Sequence, residues 1–328
     1  MSDATPEAIL EPDLAICDPH HHLWDFPQSR YLLTELLEDL NRGHAVESTV
    51  FVECGSFYRP KGPEPESYLG ETEFVGGVAA MAASGRYGPQ AACEGIVGRA
   101  DCLQGASVAQ VLEQHVDIGA GRFKGIRHAA AFDPSPDIRR GHAAPPPGMF
   151  AMPKFREGFK KLGDLGLSFE AWVYHPQIPE VAALADACPD VQIVLDHVGG
   201  PLGIGPYEGK RAEVFEVWRA SIQDLAKRPN VFVKLGGLGM AICGFGFHRR
   251  DPKPDSAEIA EAWRPYIETC IEAFGPGRGM FESNFPVDRV SCDYAVLWNA
   301  LKRLAAGASA DEKAQLFKGT ARKFYRLD

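Results

Sequence analysis

The amino-acid sequence predicts an α/β protein built as a single (β/α)8 barrel of the TIM type. Eight short segments rich in β-branched and aromatic residues alternate with segments of helical periodicity along the 328 residues. The connections that lead into these strands are short, and several that leave them are long. Eight parallel strands close into such a barrel, whose long loops gather at the carboxyl ends of the strands. An open doubly wound sheet is the alternative.

The predicted strands are apolar segments that end on polar residues. The first is the run from Leu14 to Cys17, which continues directly into three histidines. The others are predicted at residues 49–54, 95–99, 122–128, 167–173, 191–197, 230–235 and 279–283. Short connections that contain proline precede three of them, at residues 188–190, 228–230 and 275–277.

The predicted helices carry apolar residues at spacings of three and four. The leucines between residues 32 and 40 show this spacing, and Gly43 suits the end of that helix. Ser309 and Glu312 form a capping box before the last helix. The helices are predicted at residues 30–42, 71–84, 107–118, 154–165, 179–187, 211–227, 255–274, 294–305 and 311–325.

The composition indicates which binding partners and which cellular compartment to expect. The formal net charge of −10 argues against a nucleic-acid or anionic-membrane partner, so a small molecule is expected, and a homo-oligomer is left open. No apolar run approaches the ~20 residues that span a bilayer. Eight scattered cysteines without a C-x-x-C pair predict a reducing, cytoplasmic environment. We assign residues 1–328 to one domain, with residues 1–12 as an N-terminal extension that lacks the basic residues of a signal peptide.

Three histidines follow the first strand, and two of them are placed to bind a metal ion. Side chains alternate along a strand, so His20 and His22 point to one side and His21 to the other. Zinc and its neighbours in the first transition series accept neutral imidazole as a ligand. Asp18 and Asp25 flank the run and could orient the rings. A solvated surface patch is the alternative, but an apolar strand leads into these histidines.

Polar residues of similar chemistry lie at the ends of the other strands. In a barrel these positions converge on one axis, so side chains from separate strands can form one site. They are Glu53, Lys124, Arg127, His128, Tyr174, His175, His197, Lys234, Glu282 and Asn284. Exposure to water explains polarity there, but it does not explain histidine or carboxylate at three separate strand ends. We therefore predict a site with metal-ligand chemistry.

Five sequence segments resemble one family of barrel enzymes. They are D-x-H-x-H-L-W-D at 18–25, F-K-G-I-R at 123–127, L-D-H-V-G-G-P at 195–201, M-F-E-S-N-F-P-V at 280–287 and A-R-K-F-Y-R-L at 321–327. Through them the chain resembles the amidohydrolase superfamily, and within it the lactone hydrolases related to 2-pyrone-4,6-dicarboxylate lactonase and sugar-acid lactonases. The resemblance covers nearly the whole chain. It implies a TIM-like barrel that hydrolyses small cyclic esters, with or without a metal.

The chain departs from this family at the eighth strand. The family's Gly-Ser-Asp-Trp-Pro pattern carries a catalytic aspartate, and this chain has Asn284 at that position. Asparagine cannot act as a general base near neutral pH; it can only orient groups or ligate weakly. Glu282 replaces the family's glycine two residues earlier, on the same face of the strand, and could bring a carboxylate to the same place. Asp288 is a further acidic candidate.

The resemblance and these added acids together predict a metal-dependent hydrolase that opens a small carboxylate-bearing or sugar-derived lactone. Relatives that need no metal often carry an amide where this chain has Glu53. Zinc is the expected ion and manganese the alternative, and the ion would polarise the carbonyl while a carboxylate takes the proton of the attacking water. The expected metal ligands are His20, His22, Glu53, His197 and Glu282. The expected catalytic residues are Glu282, His197, Asn284 and Asp288.

Other strand-end residues are candidates for binding the substrate. Arg127 is placed to pair with a substrate carboxylate, assisted by Lys124 or His128, and a structural salt bridge is the alternative for Arg127. Tyr174 and Trp24 are expected to line the pocket, where plain packing is the alternative. Two other functions stay open: a decarboxylase or hydratase of the same superfamily acting on an aromatic-derived acid, and a binding protein without activity.

Overall fold

The predicted barrel is confirmed by a computed structural model, which describes residues 7–139 and 144–327. Within these ranges eight parallel strands form one sheet in chain order. The strands are β1 (Ile16–His21), β2 (Val46–Val52), β3 (Ala91–Gly98), β4 (Phe123–Arg127), β5 (Ser168–Ala171), β6 (Ile193–Leu195), β7 (Val231–Leu235) and β8 (Gly279–Phe281). A parallel bridge between His21 and Phe285, beyond the end of β8, joins the two edges into a nearly closed barrel.

Helices surround the strands, and each predicted helix has a counterpart within a few residues. They are α1 (Leu33–Leu40), α2 (Glu64–Ser67), α3 (Leu69–Ala83), α4 (Val108–Gly119), α5 (Pro153–Asp164), α6 (Ile178–Ala187), α7 (Arg211–Leu225), α8 (Ser256–Phe274), α9 (Tyr294–Leu304), α10 (Ala310–Ala314) and α11 (Thr320–Tyr325). The capping box of Ser309 and Glu312 is present at α10. The predicted last helix is divided, because a π-helical turn at Gln315–Gly319 separates α10 from α11.

The strands near the site are shorter than their apolar runs. The fifth strand was predicted over residues 167–173, but β5 ends at Ala171, and the chain leaves the sheet before Trp172 and Tyr174. A small hairpin, Trp24–Phe26 paired with Ser29–Tyr31, follows the histidines and was not predicted. Three residues per strand are too few for a period of two to be recognised.

The carboxyl-terminal helix closes the barrel at the end opposite to the histidines. Phe324, Tyr325 and Leu327 pack with the inward-facing residues of the strands, among them Cys17 and Val50. Cys17 is the second residue of β1, so this apolar layer lies at the amino ends of the strands. The polar site therefore occupies the carboxyl ends, as in other (β/α)8 barrels.

The amino-terminal extension lies partly outside the described residues, since its residues 1–6 are not described. From Glu7 onward it is bound to the outer helices, because Glu7 accepts a hydrogen bond from the Ser256 backbone N–H (2.7 Å) and Asn299 donates to the carbonyl of Ala8 (2.9 Å). The assignment of residues 1–328 to one domain stays a prediction. In the described part of the chain, no helix is both long and apolar enough to cross a membrane.

Candidate active site

The histidines at the carboxyl end of β1 take the orientation that their spacing predicts. His20 and His22 face each other with 3.3 Å between their Nε2 atoms, while His21 turns away and bonds Thr49 Oγ1 at 2.8 Å. His22 Nδ1 lies 2.8 Å from the carbonyl of Val52 and donates to it, so its Nε2 carries the lone pair. This nitrogen is available as a ligand.

Glu282 joins His20 to His197 across the barrel. One carboxylate oxygen, Oε1, lies 2.7 Å from Nδ1 of His197, and the other, Oε2, lies 3.0 Å from Nδ1 of His20. All three side chains are buried. Their ligand-capable atoms lie within 4.8 Å of one another, so β1, β6 and β8 together deliver one compact group.

Two glycines after β7 make room for this group. A Cβ at Gly237 would overlap the ring of His197, and one at Gly236 would overlap Glu282. Gly237 also has a φ of +68°, which side chains rarely adopt. His197 itself has a positive φ of 55°, in a tight turn directly after β6. The two glycines after β7 therefore leave the space in which His197 and Glu282 approach each other.

Arg127 is held by acidic residues of the protein. Its Nε donates to Oε1 of Glu53 at 2.7 Å, a second nitrogen donates to the Glu53 carbonyl, and Nη1 lies 3.5 Å from Oδ2 of Asp196. The side chains of Glu53 and Asp196 are 0% exposed. Arg127 therefore forms the structural salt bridge that was the alternative to binding a substrate carboxylate. Glu53 contacts this cation and is outside the group formed by His20, His197 and Glu282.

The donor set of this group fits a divalent metal ion. Oε2 of Glu282 lies 3.0 Å from Nδ1 of His20 but has no well-aligned hydrogen-bond donor among the described residues. A buried carboxylate oxygen in this state is costly unless a cation binds it. Burial, with the nearby cations, also lowers the pKa of His20 and of His22 well below the ordinary value. Both rings are therefore neutral, as metal ligation requires.

A cavity of about 530 Å³ opens at this group. Its polar lining includes His22, Arg127, His197 and Asn284. Its aromatic lining is Trp24, Phe26, Trp172 and Tyr174. The ring centroids of Trp172 and His197 are 4.8 Å apart, so the aromatic side of the cavity directly contacts His197, a candidate metal ligand. The cavity has the size and the mixed lining of a small-molecule site.

Asn284 lines this cavity, and the buried Asp288 lies directly behind it. The side-chain amide of Asn284 donates to Oδ1 of Asp288 at 2.8 Å, and the backbone N–H of Gly239 donates to Oδ2 at 2.9 Å. Burial raises the pKa of Asp288 to about 7. The chain therefore places an acid that exchanges protons near neutral pH behind the asparagine that replaces the family's aspartate.

Two predicted substrate-binding residues lie outside the cavity lining. Lys124 Nζ donates to the carbonyl of Arg326 at 3.1 Å, near the amino end of the barrel. His128 accepts from the backbone N–H of Cys102 at 3.3 Å and packs against Phe155. Neither residue is placed to assist Arg127, because a spacing of one or three residues along β4 puts the side chain on the other face. Trp24 and Tyr174 do line the cavity, and their contact with substrate stays a prediction.

Comparison with known proteins identifies the family. The family model described as Amidohydrolase matches residues 17–327. The chain belongs to the amidohydrolase family. As a member it is a hydrolase, and the family in general depends on a divalent metal ion. The resemblance predicted from the sequence is thereby confirmed.

Individual relatives of this amidohydrolase differ in how much of the chain they match. Uncharacterized protein y4mH of Sinorhizobium fredii is 34% identical over 329 residues, covering 96% of this chain and 99% of that protein. An L-fucono-1,5-lactonase from Burkholderia ambifaria is 30% identical over 167 residues, 49% of this chain and 51% of the lactonase. The solved structure of an amidohydrolase from Burkholderia multivorans with bound zinc has a TM-score of 0.72 at 22% identity, covering 96% of this chain and 100% of that chain.

Several residues of the site were not singled out from the sequence. Glu170 is a charged residue inside the apolar run of β5, and that position alone could have marked it as inward-facing and paired. Asp196 directly precedes His197, but the sequence indicated it only as part of the L-D-H-V-G-G-P segment and not as a site residue. Trp172 and Arg139 line the cavity from segments whose path the sequence does not determine.

A buried acid beside the site makes the stability of this amidohydrolase depend on pH. Glu71 in α3 accepts hydrogen bonds from the backbone N–H groups of Cys54 (3.1 Å) and Ser56 (2.9 Å). Burial, followed by the charge of Glu53, raises its pKa from 4.5 to about 8. Between these values the folded state holds a proton that the unfolded chain releases, so the free energy of unfolding falls as pH rises. The full fall is up to about 5 kcal/mol.

The variant E71Q carries an uncharged side chain at every pH and is expected to lack this fall. Urea unfolding at pH 5, 6, 7 and 8 should show E71Q gaining stability over the wild-type chain as pH increases. E73Q, two residues further along α3 and exposed, is the control and should follow the wild-type curve. Parallel curves for E71Q and the wild-type chain would show that Glu71 ionises normally.

Proposed function

We propose that this amidohydrolase is a metal-dependent lactonase that opens a small sugar-derived or carboxylate-bearing cyclic ester. The observation that carries the proposal is the position of His20, His197 and Glu282 beneath an aromatic-lined cavity at the carboxyl ends of the strands. The half-length similarity to an L-fucono-1,5-lactonase supports the same reaction class. The eight free cysteines are the basis for proposing a reducing, cytoplasmic environment.

The residues that would hold the metal are His20, His197 and Glu282, with His22 beside them. A divalent ion at these residues supplies Lewis acidity for the ester carbonyl and lowers the pKa of a water molecule. Zinc suits this mixture of imidazole and carboxylate ligands, and manganese is the alternative. The hydrogen bond from His22 to Val52 and the bond between His197 and Glu282 fix the ring orientations in advance.

Proton transfer in the proposed reaction is assigned to Asp288. Its pKa of about 7 allows it to accept a proton from the attacking water and return it to the leaving alkoxide near neutral pH. Asn284 lines the cavity and holds the carboxyl of Asp288, so the asparagine orients the acid instead of acting as one. Glu282 accepts a hydrogen bond from His197 through Oε1 and would bind the metal through Oε2, so proton transfer is not assigned to it.

The cavity lining indicates what kind of lactone fits. The indoles of Trp24 and Trp172 offer flat apolar faces for a sugar ring. Arg127 is already paired, whereas Arg139 lines the cavity from an exposed position. A substrate carboxylate would therefore meet Arg139 at the opening of the cavity while the ester lies at the histidines.

A substrate panel tests the proposal. The purified chain, supplied with zinc or manganese, is offered sugar 1,5-lactones, cyclic esters that carry a carboxylate, and hydroxylated aromatic acids. We expect acid release from a lactone with kcat/KM of at least about 10⁴ M⁻¹s⁻¹, in the range of ordinary enzymes. The same preparation after chelation is the control, and re-addition of metal should restore the rate. Release of carbon dioxide from an aromatic acid without lactone opening would instead identify a decarboxylase.

A further inference from the structure

A second group of buried side chains inside the barrel also has the composition of a metal site. It consists of His20, Glu170 and Asp196, each with 0% of its surface exposed. Their ligand-capable atoms lie within 4.8 Å of one another. Glu170 comes from β5 and Asp196 follows β6, so this group shares His20 with the first but extends toward other strands.

The ammonium of Lys234 lies among these three side chains. Its Nζ is 3.1 Å from Nδ1 of His20 and 3.5 Å from Oδ1 of Asp196, and it donates a hydrogen bond to Oε2 of Glu170. Lys234 is itself 0% exposed. Two carboxyl groups and one imidazole therefore surround this ammonium group. The position that a second metal ion would need is thus occupied by a positive charge of the protein.

The remaining oxygens of the two acids show that the group is arranged around a cation. Oε1 of Glu170 accepts a hydrogen bond from the hydroxyl of Tyr325 at 2.5 Å, which leaves its other oxygen for Lys234. Oδ2 of Asp196 faces Arg127, and its Oδ1 is buried without a hydrogen bond among the described residues. This unpartnered oxygen points to a cation site, because a buried carboxylate oxygen is otherwise costly.

We propose that His20, Glu170 and Asp196 form a cation site whose resident cation is the ammonium of Lys234, and that this lysine excludes a second divalent ion from the barrel. A divalent ion and an ammonium cannot share the same oxygens, because like charges at such distances repel strongly in a buried site. The chain then binds its divalent ion only at the group formed by His20, His197 and Glu282. The inference concerns the number of bound ions and holds whether or not the substrate is a lactone.

Replacing Lys234 by methionine tests this inference. K234M keeps the approximate length of the side chain and removes its charge, which takes the ammonium away from Glu170 and leaves Arg127 as the cation beside Asp196. Wild-type chain and K234M are incubated with excess zinc or manganese and dialysed, and bound metal is measured by mass spectrometry. We expect K234M to retain one more divalent ion per chain than the wild-type chain. Its melting temperature should also rise more on addition of metal.

Two further variants show where the additional ion binds. In the double variant K234M/E170Q one carboxylate is removed, and the additional ion should be lost. K302M is the matched control, because Lys302 is equally buried but donates to the carbonyl oxygens of Leu10 and Glu11. Its replacement leaves no carboxylate pair behind, so its metal content should equal that of the wild-type chain.

Equal metal content in K234M and the wild-type chain would overturn the inference. A wild-type chain that already binds a second ion, lost in E170Q, would overturn it as well. Should K234M fail to fold, K234Q carries the same expectation, since glutamine removes the charge and keeps a hydrogen-bond donor for Glu170. None of these measurements requires a substrate, so their outcome is separate from that of the lactone panel.

Discussion

Replacing His20 by alanine is expected to abolish both metal binding and hydrolysis. His20 is the only residue that belongs to both ligand-capable groups among the described residues, and its ring contacts His22, Glu282 and Lys234. Loss of the metal's Lewis acidity should lower kcat/KM by about 10³-fold or more. Bound metal and lactone hydrolysis are measured on the same preparation of H20A.

The neighbouring histidine provides a matched control. His21 lies on the same strand and is equally buried, but it points away from the site and bonds Thr49. H21Q retains a polar side chain for this contact and should keep wild-type metal content and activity. If H20A kept both properties, the proposed metal centre would be wrong; if it lost the metal but kept the activity, the reaction would not use the ion.

Replacing Arg127 by methionine is expected to destabilise the fold strongly. The variant removes the cation that bonds Glu53 in a buried environment and one partner of Asp196. Breaking a buried ion pair from one side costs about 3–5 kcal/mol. Urea unfolding should show this loss, and the double variant R127M/E53Q should recover most of it, since a neutral glutamine needs no counter-charge.

Arg139 is a second arginine in the cavity lining, and its replacement tests substrate binding separately from stability. R139M changes an exposed arginine and should alter stability by less than about 0.5 kcal/mol. It should instead raise KM for lactones that carry a carboxylate, while KM for neutral lactones is unchanged. A stable R127M with a selective rise in KM would return the carboxylate-binding role to Arg127.

Local sequence patterns were sufficient for the barrel and for the direction of its strand-end side chains. Alternation of strands and helices predicted the barrel, because the periods of two and 3.6 residues follow from backbone geometry alone. The same period predicted that His20 and His22 face one way and His21 the other, as the structure shows. Position at a strand end was likewise enough to place Glu282 and His197 near one axis.

Which charged residues pair with one another could not be predicted from local patterns. Glu53, Arg127 and Lys234 were all recognised as strand-end residues, but the sequence did not show that Arg127 would bind Glu53 or that Lys234 would bind Glu170. Such pairings depend on distances across the barrel, between residues that are 64 to 74 positions apart in the chain. Lys124 illustrates the reverse case, since it lies on a site-forming strand but bonds the carboxyl-terminal segment.

The sequence by itself determined the barrel, the family and the set of imidazoles and carboxylates at the carboxyl ends of the strands. Tertiary structure alone decided which of these acids lie beside the other candidate ligands and which face a cation of the protein. The physical reason is that a buried carboxylate must be compensated by whichever positive group lies within a few ångströms. In this barrel the ammonium of Lys234 and the guanidinium of Arg127 take that place for Glu170 and Glu53, whereas Oε2 of Glu282 has no hydrogen-bond donor among the described residues.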